Sequence, residues 1–314
     1  MIGVVGESLI DIVDKNELIG GCAFNVALAA ARLGAPVTYF GKVSGDEYGS
    51  RILERMIDND VLFDPQLCGA KQPTLCSKAV LDKEGKASYV FDYKETAACS
   101  ITEDELSAAF ANEGDIDMVF FGSISLLMEP GCNAIFPAIK TIEGNPVKFL
   151  DPNIRPSLVK DPDGYRKMIF DYASQCELVR VSDEDLSYLF PEMDEKQAEQ
   201  SLLDICKGSL IVTRGAKGST WHGKNFREDV SAIKVEKVQD TIGCGDTFDG
   251  AVMAYLDRND LIRRIDSIDS IDKKTASKIL VYASVAAGLN CLSKGCEPPT
   301  SEEVGRVGND VVLE

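Results

Sequence analysis

The sequence predicts an α/β protein with a mostly parallel central sheet, helices on both of its faces and a small β lid. Three observations predict it: short runs that are apolar throughout, helix-like segments between them, and one region whose pattern alternates instead. Strands that are apolar throughout are covered on both faces. Their regular alternation with helices implies parallel pairing.

In chain order the strand-like runs are Ile2 to Val5, Val37 to Phe40, Met118 to Phe121, Val147 to Leu150, Leu178 to Val181 and Leu210 to Thr213. Each is rich in β-branched or aromatic residues and bounded by Gly, Asp or Pro. The helix-like segments are Ala23 to Leu33, closed by Gly34 as a left-handed cap, then Glu47 to Asn59, Glu103 to Ala111, Gly164 to Ser174 and Gln197 to Cys206. Thr74 to Leu81 and Ala87 to Tyr93 alternate apolar with polar residues around Asp82-Lys83-Glu84-Gly85, the pattern of a hairpin. A half-exposed hairpin in such a chain suits a lid or a contact between two copies. The lid is therefore expected over 74–94, with 12–19 supplying a further strand. No repeat, low-complexity segment or linker divides residues 1–314, which are expected to form one α/β domain.

Composition narrows the function. With 51 acids against 33 bases the chain carries a formal charge of −18, which argues against a nucleic-acid partner. A phosphate ligand stays open, because backbone N–H groups can hold one inside an acidic protein. None of the ten cysteines forms a C-x-x-C pair, so a zinc or thioredoxin-like site is disfavoured. The first residues have no basic stretch before an apolar one, and no apolar run reaches the roughly 18 residues of a membrane span. A cytoplasmic protein with reduced thiols, and no membrane partner, is the expectation. His222 is the only histidine, so proton transfer falls to a carboxylate, Lys, Tyr or Cys. Between Trp221 and Gly223 it reads as a surface turn residue.

The sharpest local signal is Asp240-Thr241-Ile242-Gly243-Cys244-Gly245-Asp246-Thr247-Phe248. Gly243 and Gly245 let successive N–H groups around Cys244 point at one spot, and a helix opening there adds its positive end. That is an anion hole, suited to the charge of a phosphoryl group in transfer. Asp246 has two readings: a helix N-cap, or a base facing the hydroxyl that attacks the phosphate. A second cluster, Gly20-Gly21-Cys22-Ala23-Phe24-Asn25, opens an alanine-rich helix. It is either a tight turn or a place where a ligand approaches the backbone, with Asn25 able to donate and accept. The Walker-A pattern is absent, and Gly3 to Gly6 leaves only a trace of a dinucleotide fingerprint.

Together the two clusters resemble the two signature regions of the ribokinase-like (PfkB) carbohydrate kinase family, G-G-x-x-x-N-x-A near the start and D-T-x-G-x-G-D in the last third. The resemblance spans nearly the whole chain. It implies a ribokinase-like three-layer sandwich with a small lid, and transfer of the ATP γ-phosphate to a sugar hydroxyl with Mg²⁺. By the family pattern Asp246 is the base and Gly243, Cys244 and Gly245 the anion hole, with Cys244 where relatives usually carry Ala. Asp11, Gly20, Gly21 and Asn25 match the sugar floor. Thr213, Gly215 and Gly218 match the nucleotide loop T-x-G-x-x-G, and Ser284 stands where many members have an adenine-side Asn. Ser182 and Asp185 replace the Asn and Glu of N-x-x-E near Mg²⁺, and Asp240 belongs to a loop that in many members binds a monovalent cation, K⁺ by expectation.

Asp151-Pro152-Asn153-Ile154-Arg155-Pro156 resembles the D-x-N-x-R stretch of fructokinases and 2-keto-3-deoxygluconate kinases. Arg155 reads either as a substrate ligand or as the partner of Asp151. Phe91 and Tyr93 lie where those kinases place aromatic lid residues. Lys94 replaces a common Arg and loses bidentate carboxylate binding, which favours a neutral hexose such as fructose. A keto-sugar-acid or nucleoside kinase of the same family is the alternative. From other classes come a nicotinamide-dependent oxidoreductase using Gly3 to Gly6, and a non-catalytic sugar-binding relative. A homodimer through the lid completes the expectations.

Overall fold

The computed structural model describes residues 1–13, 16–81, 87–91, 93–235, 237–262 and 268–308. The fully buried β1 (Ile2–Val5) leads into the hairpin of β2 (Leu9–Val13) and β3 (Asn16–Gly20). Then come α1 (Cys22–Arg32), β4 (Val37–Phe40), α2 (Glu47–Ile57), the short β5 (Leu62–Phe63), β6 (Cys76–Leu81) and β7 (Ala87–Phe91). The middle of the chain runs α3 (Glu103–Glu113), β8 (Met118–Gly122), α4 (Cys132–Ile139), β9 (Val147–Asp151), α5 (Pro162–Ala173), β10 (Leu178–Ser182) and α6 (Asp183–Leu189). It closes with α7 (Glu195–Ile205), β11 (Ser209–Thr213), β12 (Ser219–Gly223), β13 (Phe226–Val230), α8 (Cys244–Arg258), α9 (Lys273–Asn290) and α10 (Ser301–Gly308).

Nine strands form the central sheet in the order β13-β12-β11-β10-β9-β8-β1-β4-β5, parallel from β11 to β5. Residues of α1, α2, α8, α9 and α10 build one core on one face. Those of α3, α4, α5 and α7 build the other. The chain leaves β1 toward β4 and β5, and later returns to lay β8 on the other side of β1. Strand order therefore reverses between β1 and β8, and open α/β sheets bind ligands beyond the carboxyl ends of strands at such a switch.

The lid is a four-stranded sheet, β3-β2-β6-β7, with β2 parallel to β6 and the other pairs antiparallel. It begins at Leu9, three residues before the expected boundary at 12. Ile10 is fully buried and reads as core, which hides the start of the strand in the sequence. The turn expected at 82–85 lies outside the described residues. A second correction concerns His222. It is not in a surface turn but in β12, opposite Leu210 and Arg227, and only 8% exposed. Burial, with Arg227 and Arg214 nearby, pushes its pKa down to about 4, so the ring is neutral. Among the described residues no helix is long and apolar enough to cross a membrane.

One packing detail positions the site. At Gly250 in α8, a Cβ would stand 2.6 Å from the Ala29 Cβ and 2.9 Å from the Val26 carbonyl oxygen of α1. The two helices therefore touch backbone to backbone. Asn25 lies one turn before Ala29, and Asp246 one turn before Gly250. Gly250→Val is expected to push α1 from α8, destabilising the protein by about 1–3 kcal/mol as overpacking does. Urea denaturation reads the loss, and a change within 0.5 kcal/mol would show that the crossing yields easily.

Candidate active site

A cleft of about 640 Å³ opens beyond the carboxyl ends of the strands. Glu7 follows β1, Ser123 follows β8, Asn153 and Arg155 follow β9, and Ser182 at the end of β10 and Asp185 in α6 close it. Gly21, Cys22 and Asn25 arrive from the start of α1, Asp11 from the lid, and Gly243, Gly245 and Asp246 from the start of α8.

Asp246 is 7% exposed and lines the cleft. The sequence left it as N-cap or base. In the structure the N-cap is Gly243, at φ 73°, and Asp246 occupies the third helical position. Its carboxylate is turned to α1 and the β9 loop, accepting from Asn25 Nδ2 at 2.8 Å and Asn153 Nδ2 at 3.3 Å. Burial raises its pKa and the Asn25 hydrogen bond opposes the rise. The opening turn of α8 supplies amides with no earlier helical partner. Cys244 N donates to Thr241 O at 3.3 Å, so that amide of the expected anion hole is already engaged in the turn.

The residues matched to the sugar floor lie close together but divide in what they do. Asp11, Gly21 and Asn25 line the cleft; Gly20 does not. Gly20 makes room instead: a Cβ there would stand 2.6 Å from Asp11 Oδ2. Gly21 sits at φ 105°, where a Cβ would press into the Glu7 carbonyl. Asp11 also accepts from Ser77 Oγ of β6, which ties it to the lid. Arg155 lines the cleft and donates to Asn153 Oδ1 at 2.6 Å and Asn153 O at 3.0 Å. Asp151 is not its partner. That carboxylate takes Arg180 Nη1 at 2.8 Å, and both are buried. Tyr93 does not line the cleft; its hydroxyl accepts from Lys160 at 3.4 Å. The Phe91 side chain lies outside the described residues.

A second cavity of about 330 Å³ adjoins the first. Thr213, Gly215, Gly218 and Ser284, the four residues matched to nucleotide binding, all line it. Ile233, Val235, Val238 and Ala287 give it an apolar wall suited to a planar base. Arg180, Thr241 and Gly245 belong to the linings of both cavities. Gly245 is pinned there, since a Cβ would meet the Arg180 guanidinium at 3.1 Å.

The metal-related residues are arranged differently from the expectation. Asp185 accepts from Ile154 N at 2.8 Å, Ser182 N at 2.9 Å and Ser182 Oγ at 2.7 Å, filling three of about four carboxylate acceptor positions. It therefore braces the β9 loop and caps α6, and offers little to a cation. Glu184, one residue earlier, lines the cleft and is exposed. Asp240, whose loop was matched to a monovalent cation, accepts from Ile242 N at 3.1 Å and from Gly295 N at 2.9 Å, which ties that loop to the segment at Gly295. Among the described residues no three His, Cys, Asp or Glu side chains cluster as a metal site.

Sequence reasoning missed Glu7, Asn153 and Arg180. Glu7 is 1% exposed, takes Cys22 N at 2.9 Å on one oxygen and Ser125 Oγ on the other. Burial pushes its pKa up to about 7. The only sequence signal for Arg180 was a cation inside an apolar strand. For Glu7, a raised folded pKa means stability present below about 4.5 and lost as pH rises through about 7. Glu7→Gln is expected to flatten that part of the stability–pH curve, read by urea denaturation between pH 4.5 and 7.5. An unchanged slope would place the titration elsewhere.

With this geometry in hand, comparison with known proteins gives concordant matches. The sequence model of the pfkB family of carbohydrate kinases matches residues 5–303. A fructokinase of Rhizobium leguminosarum bv. trifolii is 31% identical over 281 residues, covering 86% of this chain and 84% of that protein. Among solved structures, a Xylella fastidiosa fructokinase with bound ATP superposes with a TM-score of 0.86 at 22% identity, covering 98% of each chain. A Vibrio cholerae fructokinase holding fructose, ADP and calcium ion gives 0.78 at 23%, covering 94% of each. These likenesses bear out the ribokinase-like fold.

Proposed function

The chain belongs to the pfkB family of carbohydrate kinases, and on that premise we propose that it transfers the γ-phosphoryl group of ATP to a hydroxyl of fructose with Asp246 as the base. The observation that carries this is the position of Asp246: a buried carboxylate at the opening of a helix, beside the junction of a polar cleft and a cavity with an apolar wall. The polar cleft takes the sugar, with Asp11 and Asn25 on its hydroxyls. The adjoining cavity takes the nucleotide base through Thr213, Gly215, Gly218 and Ser284. The acceptor hydroxyl then lies between Asp246 and the γ-phosphorus. Asp246 accepts its proton as the new P–O bond forms, while the Gly245 amide, next after Cys244 in α8, faces the transferring group. Alignment and charge stabilisation supply most of the rate, as phosphoryl transfer requires.

Glu184, exposed in the cleft, would hold Mg²⁺ together with the phosphate oxygens of ATP. When bound it neutralises phosphate charge. Potassium is assigned to the loop of Asp240 and the segment at Gly295, which a hydrogen bond joins. Fructose is the first choice because the matched relatives carry that name and Lys94 is an exposed side chain outside the cleft lining. Pairing of two copies through the lid belongs to the same proposal. Its sheet has β3 and β7 as edges, and open edges favour pairing with another chain.

The test is a coupled ADP-release assay over fructose, other hexoses, pentoses, nucleosides and 2-keto-3-deoxygluconate, run in KCl and in NaCl. Fructose is expected to give the highest kcat/KM. A preference for the keto acid would move the assignment to Arg155 as a carboxylate ligand, and a preference for nucleosides would move it to a nucleoside kinase.

A further inference from the structure

Two cysteines meet at the junction of the cavities. Cys244 is the first residue of α8, Cys291 follows the last turn of α9, and their sulfurs stand 3.1 Å apart. Both line the cavity assigned to the nucleotide, so small solutes reach them through it. Neither is held by accident of the surface. Asn290 Nδ2 donates to Cys244 Sγ at 3.4 Å and to Ile242 O at 2.9 Å, and Cys291 O accepts from Gln239 N at 2.8 Å. These contacts bind the loop 239–244 to the end of α9 and fix the two sulfurs in register.

We propose that Cys244 and Cys291 form a reversible disulfide that switches the site off under oxidising conditions. A disulfide needs its sulfurs about 2.05 Å apart, so closure from the present separation is a displacement of about 1 Å. Peroxide is the oxidant. It converts one thiol to a sulfenic acid and is reduced to water. The other sulfur then attacks that sulfenic sulfur, forms the S–S bond and expels the hydroxyl, which leaves as a second water with the attacking thiol's proton. A dithiol reductant reverses the bond by exchange.

The effect follows from where the bond lies. It fastens the opening residue of α8, next to Gly245 and Asp246, to the wall of the nucleotide cavity. The first amides of α8 then lose the freedom to adjust around a phosphoryl group, and the bridge occupies space beside Ser284 and Gly288. Cys296 packs against Gly243, next to Cys244, and is the competing partner. The loss of activity rests on the kinase reading above; the bond rests on the sulfur geometry alone.

The experiment treats the whole protein with hydrogen peroxide, maps cysteine pairs by mass spectrometry without reduction, and follows ADP release. The expected result is a Cys244–Cys291 cross-linked peptide, with activity at least tenfold down and recovered on adding dithiothreitol. Cys291→Ala and Cys291→Ser, each compared with its own reduced form, are expected to keep their activity under the same treatment. No cross-link, a Cys244–Cys296 cross-link, or equal inactivation of both variants overturns the proposal. Should no sugar support ADP release, the cross-link is still decided by mass. Binding of an ATP analogue, at least tenfold weaker after oxidation, then replaces activity as the readout, and unchanged binding overturns the switch.

Discussion

Asp246→Asn is expected to lower kcat by about 10²- to 10⁴-fold, the usual contribution of a positioned general base. The amide is nearly the same shape and can still accept one hydrogen bond from the α1 carboxamide, so the helix crossing persists. What disappears is the capacity to take a proton from the sugar hydroxyl. Nucleotide affinity is expected to stay within a factor of a few, because the adjoining cavity is lined by other residues. Steady-state ADP release and calorimetry with an ATP analogue separate the two. A variant as active as the parent removes Asp246 from the chemistry. The raised pKa of Asp246 adds a second signature. The base works only when ionised, so kcat falls as pH drops through that pKa, and the fall is displaced above the range of an ordinary aspartate.

Arg180→Met carries the largest expected effect on stability. Its guanidinium stands between Asp151 at 2.8 Å and Asp249 at 3.8 Å, and both carboxylates are completely buried. Removing the cation leaves two like charges in the core with no counterion, which costs about 3–5 kcal/mol. Burial pushes the Asp249 pKa well up while Arg180 opposes the rise, so the variant is expected to take up a proton there. Combining Arg180→Met with Asp249→Asn should therefore recover part of the loss. Urea denaturation of both proteins measures it. A single variant destabilised by less than about 1 kcal/mol, in the range of exposed pairs, would show that the network is solvated.

Much of the architecture was legible in the residues because of where each element sits. Strands such as Val4, Phe120 and Val179 belong to are buried on both faces, so an apolar run announces them. β12 and β13 were not legible, since an edge hairpin mixes a buried Trp221 with Thr220, His222 and charged neighbours. Nor does the sequence reveal that Glu199 of α7 brings its carboxylate to 3.4 Å from the His222 Nε2. The glycine signatures were legible for a local reason: Gly21 and Gly243 need backbone angles or approaches that other residues resist. Glu7 was not, because its meaning comes from Ser125, 118 positions away. Asp185 shows the opposite failure. A motif position assigned it to the metal, and only the neighbouring amides reveal that its oxygens are taken.

The missing methyl group at Gly250 has a consequence for how the protein should fail. Asn25 and Asp246 are 221 positions apart, yet their spacing is fixed by two rigid rods resting on each other in the interior. Catalytic competence and global structure should therefore vanish along one and the same urea curve, rather than in two stages with activity lost early.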